Sequence, residues 1–291
     1  MTSTCCFGRE EDPVRVMTFN LRFENDFDGD NRWGNRCEFL VKTILKYGPH
    51  IVGTQEGKPS QLDFLRERLT GYRISAESRW WDRECQYPTL FYLARSFRCL
   101  EGGEFWLSET PVIHRSKSWD SAFPRMMSYA HLEVRETGQR LWSVVTHLDH
   151  ISERARIEGA KMIGTWAFAR GAPAVLVGDF NDGPGSEVHQ VLTLPSGPFL
   201  DTWERLGRKE DEESYTQHGF TGVGAKGRID WILATPDFQV LEAIIGRDHE
   251  EGRYPSDHFP YWVDLKLVDR RRRAPDIAGN MREGVNSGSE S

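Results

Sequence analysis

The stretch AVLVGDFNDGPGS, residues 174–186, joins an apolar run to a cluster of polar side chains across a pair of glycines. Ala174, Val175, Leu176 and Val177 show no alternation of apolar and polar residues, the pattern of a strand covered on both faces, and Gly178 and Gly183 break it. Asp179, Asn181 and Asp182 therefore sit where a buried strand ends. Asp and Asn also serve as ordinary turn residues that bond their own backbone, so the stretch by itself is either a turn or part of a site. The other strand ends decide.

Upstream, VRVMTFNLRF (residues 14–23) is an apolar, β-rich run with Asn20 near its end. A polar loop, FENDFDGDNRWGNR, leads to CEFLVKTILKYG (37–48), where Phe39, Leu40, Ile44 and Leu45 have helical spacing and Gly48 and Pro49 stop the element. HIVGTQE is a second strand ending in Glu56. SQLDFLRERLTG (60–71) reads as a second helix with Ser60 as N-cap and Gly71 as stop. Beyond it, TLFYLARS, EFWLSE, AHLEVRE and RLWSVVTHL form short runs between turn residues, which predicts a largely antiparallel meander. The helix SERARIEGAKMIGTWAFARG precedes the opening stretch, and RIDWILAT, FQVLEAIIG and YWVDLKLV close the chain as strands. The pattern predicts one layered α/β domain over residues 13–269, two packed sheets with helices outside. A polar lead (1–12) and an arginine-rich polar tail (270–291) are expected to be disordered.

The 291 residues are 38% hydrophobic, enough for a sizeable core, and contain no run of membrane-spanning length. The first residues lack the apolar segment of a signal peptide, so a cytoplasmic protein is expected. Five cysteines without CxxC spacing indicate neither a disulfide framework nor structural zinc. With 44 acidic against 37 basic residues and a net charge of -7, a broad grip on nucleic acid is disfavoured, because that grip needs many cations on phosphates. Nothing in the sequence specifies an oligomeric state.

Polar residues recur where the apolar runs stop: Asn20, Glu56, His147 with Asp149, Asp179 with Asn181, Asp230, and Asp257 with His258. An unpaired carboxylate is costly at the edge of a core, so acids at the ends of separate strands are most simply explained by convergence on one site. Carboxylates and amides with a few imidazoles, and no thiolate, suit a hard cation such as Mg2+ or Mn2+.

The ordered set TFN, QE, THLD, GDFN, GRID and SDH resembles the endonuclease/exonuclease/phosphatase superfamily, which includes DNase I, abasic-site endonucleases, inositol polyphosphate phosphatases, sphingomyelinases and deadenylases. The resemblance spans residues 14–268. It implies a four-layer α/β sandwich of the DNase I type, with the site at one edge of two sheets. It implies further that Glu56 holds the metal with Asn20 and Asp257 near it, and that Asp179 orients or deprotonates the attacking water. Asn181 would help to hold water and phosphate. Asp230 and His258 would stabilise charge on the phosphorus oxygens, and His147 would bind a non-bridging oxygen or assist the leaving group. Arg22 stands where abasic-site enzymes carry an acid, which leaves one carboxylate fewer for a second metal and offers a cation to phosphate. Gln86 falls where relatives carry a glutamate that pairs with the histidine, with Glu84 on the same strand face as a substitute.

The stretches NRW, FWLSETP, WDSAFPR, THLDHISERAR and GRYPSDHFP are similar to those of a group of bacterial and fungal hydrolases in this superfamily. Among the aromatic and basic residues of these loops (Trp33, Trp81, Trp119, Arg125, His150 and Arg154), Trp33 and Arg125 are the favoured substrate contacts, together with Arg22. The expectation is a Mg2+-dependent phosphoester hydrolase with a small phosphorylated substrate. A nuclease with the same chemistry is the alternative, and a non-catalytic binding module on the same fold is a third reading that the intact set of acids and imidazoles disfavours.

Overall fold

The computed structural model describes residues 12–268 apart from 78 and 172. The expected lead, save for residue 12, and the whole of the expected tail lie outside the described residues. Twelve strands make two six-stranded mixed sheets. The first contains β1 (Val14–Asn20), β2 (Ile51–Gly57), β3 (Tyr72–Ile74), β4 (Tyr87–Leu93), β11 (Phe238–Ile245) and β12 (Tyr261–Leu267), in the order β11-β12-β1-β2-β4-β3. The second contains β5 (Phe97–Trp106), β6 (Met126–Val134), β7 (Arg140–His147), β8 (Ala174–Asp179), β9 (Leu200–Asp201) and β10 (Asp230–Ala234), in the order β5-β6-β7-β8-β10-β9.

Helices α1 (Trp33–Tyr47) and α2 (Pro59–Arg68) pack on the outer face of the first sheet and α3 (Glu153–Arg170) on that of the second. Short helices α4 (Glu187–Leu192) and α5 (Thr202–Arg205) complete the set. This is the four-layer α/β sandwich of the DNase I type. The uniform apolar run of β8 now has its reason: Val175 and Val177 point into the core between the sheets, while Ala174 and Leu176 point into the core under α3.

The stop read at Gly48 holds. Gly48 and Gly171 close α1 and α3 in the left-handed region, and Ser152 caps α3 by accepting from the Ala155 N–H. Four readings are corrected, the first being the stop of α2, which ends at Arg68 with Leu69 rather than Gly71 as its C-cap. α1 begins at Trp33 rather than Cys37, because its start carries no Ser, Thr or Asp cap to announce it. α2 is capped at Lys58 and not at Ser60: Pro59 fits the first helical position, and the Gln61 side chain turns back to accept from the Lys58 N–H at 3.2 Å. The expected meander is split, since β4 pairs with β2 and β3 in one sheet while β5 opens the other.

The sheets approach closely at β2. A Cβ on Gly53 would lie 2.2 Å from Val177 Cγ2 and 3.0 Å from Val145 Cγ2, so only glycine lets the end of β2 approach β7 and β8. That approach sets Glu56 beside His147 and Asp179.

Candidate active site

Register builds the site. In the second sheet His147 pairs laterally with Asp179, and Asp179 with Asp230, so three strands present these side chains in one row. In the first sheet Asn20 is paired with Gln55, one residue before Glu56. Arg22, Glu56 and Asn181 all have positive φ, at 52°, 64° and 51°. Backbone held in that region is strained for arginine and glutamate, and such strain gathers at functional sites.

Asn20 joins the two sheets: its Nδ2 donates to Glu56 Oε1 at 3.1 Å and to Asp179 Oδ2 at 3.0 Å, while its Oδ1 accepts from the Arg22 N–H. The amide oxygen is therefore engaged away from the acids. The residue orients two carboxylates and presents them no ligand oxygen, which narrows its expected place in the metal shell. Glu56 Oε2 also accepts from the Phe23 N–H at 2.9 Å, and Asp179 Oδ1 accepts from the Asn181 N–H at 2.9 Å.

Asn181 Nδ2 donates both to Leu148 O at 3.1 Å and to His147 Nε2 at 3.0 Å. This network assigns His147 the tautomer with its proton on Nδ1. Burial, with Arg125 nearby, holds the His147 pKa well below the ordinary histidine value, so the ring is neutral. Its expected carboxylate partner is absent: Glu84 sits exposed in a turn ahead of β4, not on a strand face, and Gln86 also precedes the strand. The side-chain partner of His147 is instead the Asn181 amide, which donates to the ring where an acid would accept from it.

His258 is the opposite case. Burial opposes its charge, but Asp230 Oδ2 lies 2.8 Å from Nδ1 and lifts its pKa to about 10, so it is an imidazolium at neutral pH. Its Nε2 is 3.9 Å from Asp179 Oδ2. Burial, and after it the neighbouring Asp230, raises Asp179. Asp257 is likewise raised by burial and by Glu56. Buried Asp230 Oδ1 has no protein partner.

Arg22 pairs through two nitrogens with Asp28, at 3.0 and 2.8 Å, and its charge acts on Asp257. Arg125 stands near enough for Glu56 and Asp179 to act on its charge. Trp33 is corrected: its ring is 7% exposed, packed edge-on against Phe64 at 5.7 Å, and belongs to the core under α1. Asp149, grouped by sequence with His147, is structural. Its oxygens accept from the backbone N–H groups of Ala122, Phe123, Ile151 and Ser152. Arg36 was missed by sequence reasoning. It is 3% exposed and donates to the carbonyls of Leu21, Arg22 and Pro255, tying the ends of β1 to the loop that carries Asp257. A single arginine in an amphipathic helix carries no sign of such a role.

The profile of the Endonuclease/Exonuclease/phosphatase family matches residues 17–258. The chain belongs to this family. Among solved structures of the endonuclease/exonuclease/phosphatase family, a Bacteroides thetaiotaomicron member is 30% identical with a TM-score of 0.79, covering 88% of this chain and 98% of that one. A mannosyl-6-phosphatase from Bacteroides thetaiotaomicron is also 30% identical, with a TM-score of 0.77 over 87% of this chain and 99% of that one. Nocturnin from Xenopus laevis is 24% identical, over 87% of this chain and 72% of the relative.

Endonuclease/exonuclease/phosphatase proteins are hydrolytic phosphoesterases and nucleases, and this chain is an enzyme of that kind. They are typically dependent on divalent metal, and the residues here fit such an ion. Ligand atoms of Glu56, His147 and Asp179 lie within 4.8 Å of one another. The crowding that raises Asp179 and Asp257 is what a hard divalent cation would relieve. No helix among the described residues is long and apolar enough to cross a membrane.

Proposed function

We propose that the chain is a Mg2+-dependent phosphoester hydrolase, with Mn2+ able to substitute, acting on a compact phosphorylated molecule. The observation that carries this reading is the pairing of opposites around Asp179: a carboxylate of raised proton affinity lies beside an imidazolium held by Asp230. One group takes a proton from water, and the other faces the charge that develops on phosphorus oxygens.

Glu56 would hold the ion, with Asp257 near it, and the bound ion would neutralise charge on the phosphate. Asp179, fixed by the Asn20 amide and the Asn181 N–H, receives the proton of the attacking water. With both hydrogens of its amide nitrogen engaged, Asn181 has its Oδ1 left to accept from that water. His147, neutral and bonded to Asn181, positions it. Asp230 keeps His258 charged and turned toward Asp179. Arg125 supplies further positive charge near Glu56 and Asp179, and Arg22, paired with Asp28, acts on Asp257.

The compact substrate is supported by the acidic net charge of -7 and by the likeness to a mannosyl-6-phosphatase. The test is phosphate release from sugar phosphates and nucleotides, beside nicking of plasmid DNA, with Mg2+, with Mn2+ and with excess chelator. Turnover of a phosphomonoester that chelation abolishes is expected. Full activity in chelator overturns the metal. Efficient nicking that falls steeply with salt, without phosphate release, overturns the substrate class.

A further inference from the structure

Phe123 is 55% exposed, in a loop that is otherwise firmly held. The N–H groups of Ala122 and Phe123 both donate to Asp149 Oδ2, and just before them Trp119 and Asp120 adopt positive φ of 55° and 60°. The loop thus fixes an apolar ring in water next to strained backbone, and strain of this kind gathers at functional sites. The ring is stacked on His150, with centroids 5.6 Å apart and planes at 25°.

Arg125 is the second observation. Its side chain is only 10% exposed, yet among the described residues its sole hydrogen bond runs from Nη2 to His150 Nδ1 at 3.2 Å. Nε is buried and ion-paired at 3.6 Å with an Asp149 oxygen already bonded to Ser121 Oγ and the two backbone N–H groups, and the guanidinium carbon lies 5.8 Å from the centre of the Phe123 ring. Beyond the Nη2 bond to His150, the Nη hydrogens have no acceptor among the described residues, and a ligand at this wall would supply one. Glu56 acts electrostatically on both Arg125 and His150, which places this wall at the mouth of the site.

We propose that Phe123, His150 and Arg125 form the subsite for the substrate's leaving group, and that this group is a pyranose ring. The proposal rests on the reading of the site as a hydrolase of compact phosphoesters. The aromatic pair offers one flat face to the C–H face of a sugar. Arg125 at its edge offers donors alone, which suits hydroxyl and phosphate oxygens.

The test uses calorimetric binding to the Asp179→Asn protein with Mg2+, so that turnover does not intervene. Glucose or mannose 6-phosphate is expected to bind about tenfold more tightly than glycerol 3-phosphate, a gap of the size that one stacking contact provides. Adding Phe123→Ala is expected to remove most of that gap and leave the affinity for inorganic phosphate and the melting temperature unchanged. The proposal is overturned if Phe123→Ala leaves the gap in place, weakens all three ligands equally, or removes a preference for AMP over the hexose phosphate. Failure of the underlying reading looks different: unaltered enzyme with Mg2+ would release no phosphate from any monoester, whatever the binding series shows.

Discussion

The Asp230 carboxylate, on β10, meets His258 Nδ1 at 2.8 Å, and neither group is more than 5% exposed. A buried imidazole unaided is neutral; here the carboxylate reverses the sign, with the His258 pKa raised to about 10. Asp230→Asn removes that support. Its kcat is expected to fall by about a hundredfold or more. The alkaline limb of its pH-rate profile should move to lower pH, because burial then acts on His258 with less opposition. Rates near those of the unaltered enzyme across pH 6–9 would contradict the role.

Asn20 bridges Glu56 and Asp179 through one amide nitrogen. Asn20→Ala should lower kcat by about ten- to a hundredfold and raise the Mg2+ concentration for half activity, since both carboxylates lose a donor that orients them. Retained kcat with unchanged Mg2+ dependence would make the amide incidental.

Asp149 is held at a pKa of about 2: burial would raise it, but backbone N–H groups of Ser152, Ile151 and Ala122 and the charge of Arg125 outweigh burial. A carboxylate with a depressed folded pKa contributes stability that is present above its unfolded value near 4 and is lost as pH falls toward 2. Asp149→Asn should therefore cost about 1–3 kcal/mol at pH 7, and its deficit in melting temperature should shrink at pH 3. An equal deficit at both pH values would assign the loss to shape rather than charge.

Trp33→Ala should destabilise the protein by about 3–5 kcal/mol, as expected for a ring removed from a core. Well below the melting transition, its KM should stay within about twofold of the unaltered enzyme, because no stacking contact with substrate is lost. A large rise in KM without loss of stability would return Trp33 to the substrate.

Excess chelator should abolish turnover by the unaltered protein, and Mg2+ or Mn2+ should restore it, with Glu56→Gln needing far more metal than the unaltered chain. Glu56→Gln that responds to metal as before would take Glu56 out of the metal shell.

The ends of β1, β2, β7 and β8 that carry Asn20, Glu56, His147 and Asp179 were legible in the sequence; Asp230 stands instead at the start of β10, and His258 lies three residues ahead of β12. An apolar run that stops at an acid or imidazole is a local pattern, and burial of the run makes its unpaired terminus costly. The β8 run could be read as covered on both faces for the same reason, and Gly48 announced a helix end through backbone chemistry that needs no distant partner. Partnership was not legible. Asn181 stands 34 residues from His147, and Asn20 stands 159 from Asp179. Only the register of β7, β8 and β10 and the close approach of the sheets at Gly53 bring such groups together. The same holds for Trp33, whose burial depends on Phe64 of another helix, and for Asp149, whose Oδ2 is taken by a loop some 27 residues upstream. Residue type and spacing determined which side chains reach the edge of the sheets. The packing of one sheet on the other decided which of them face a substrate, because hydrogen-bond saturation and burial are properties of neighbours in space.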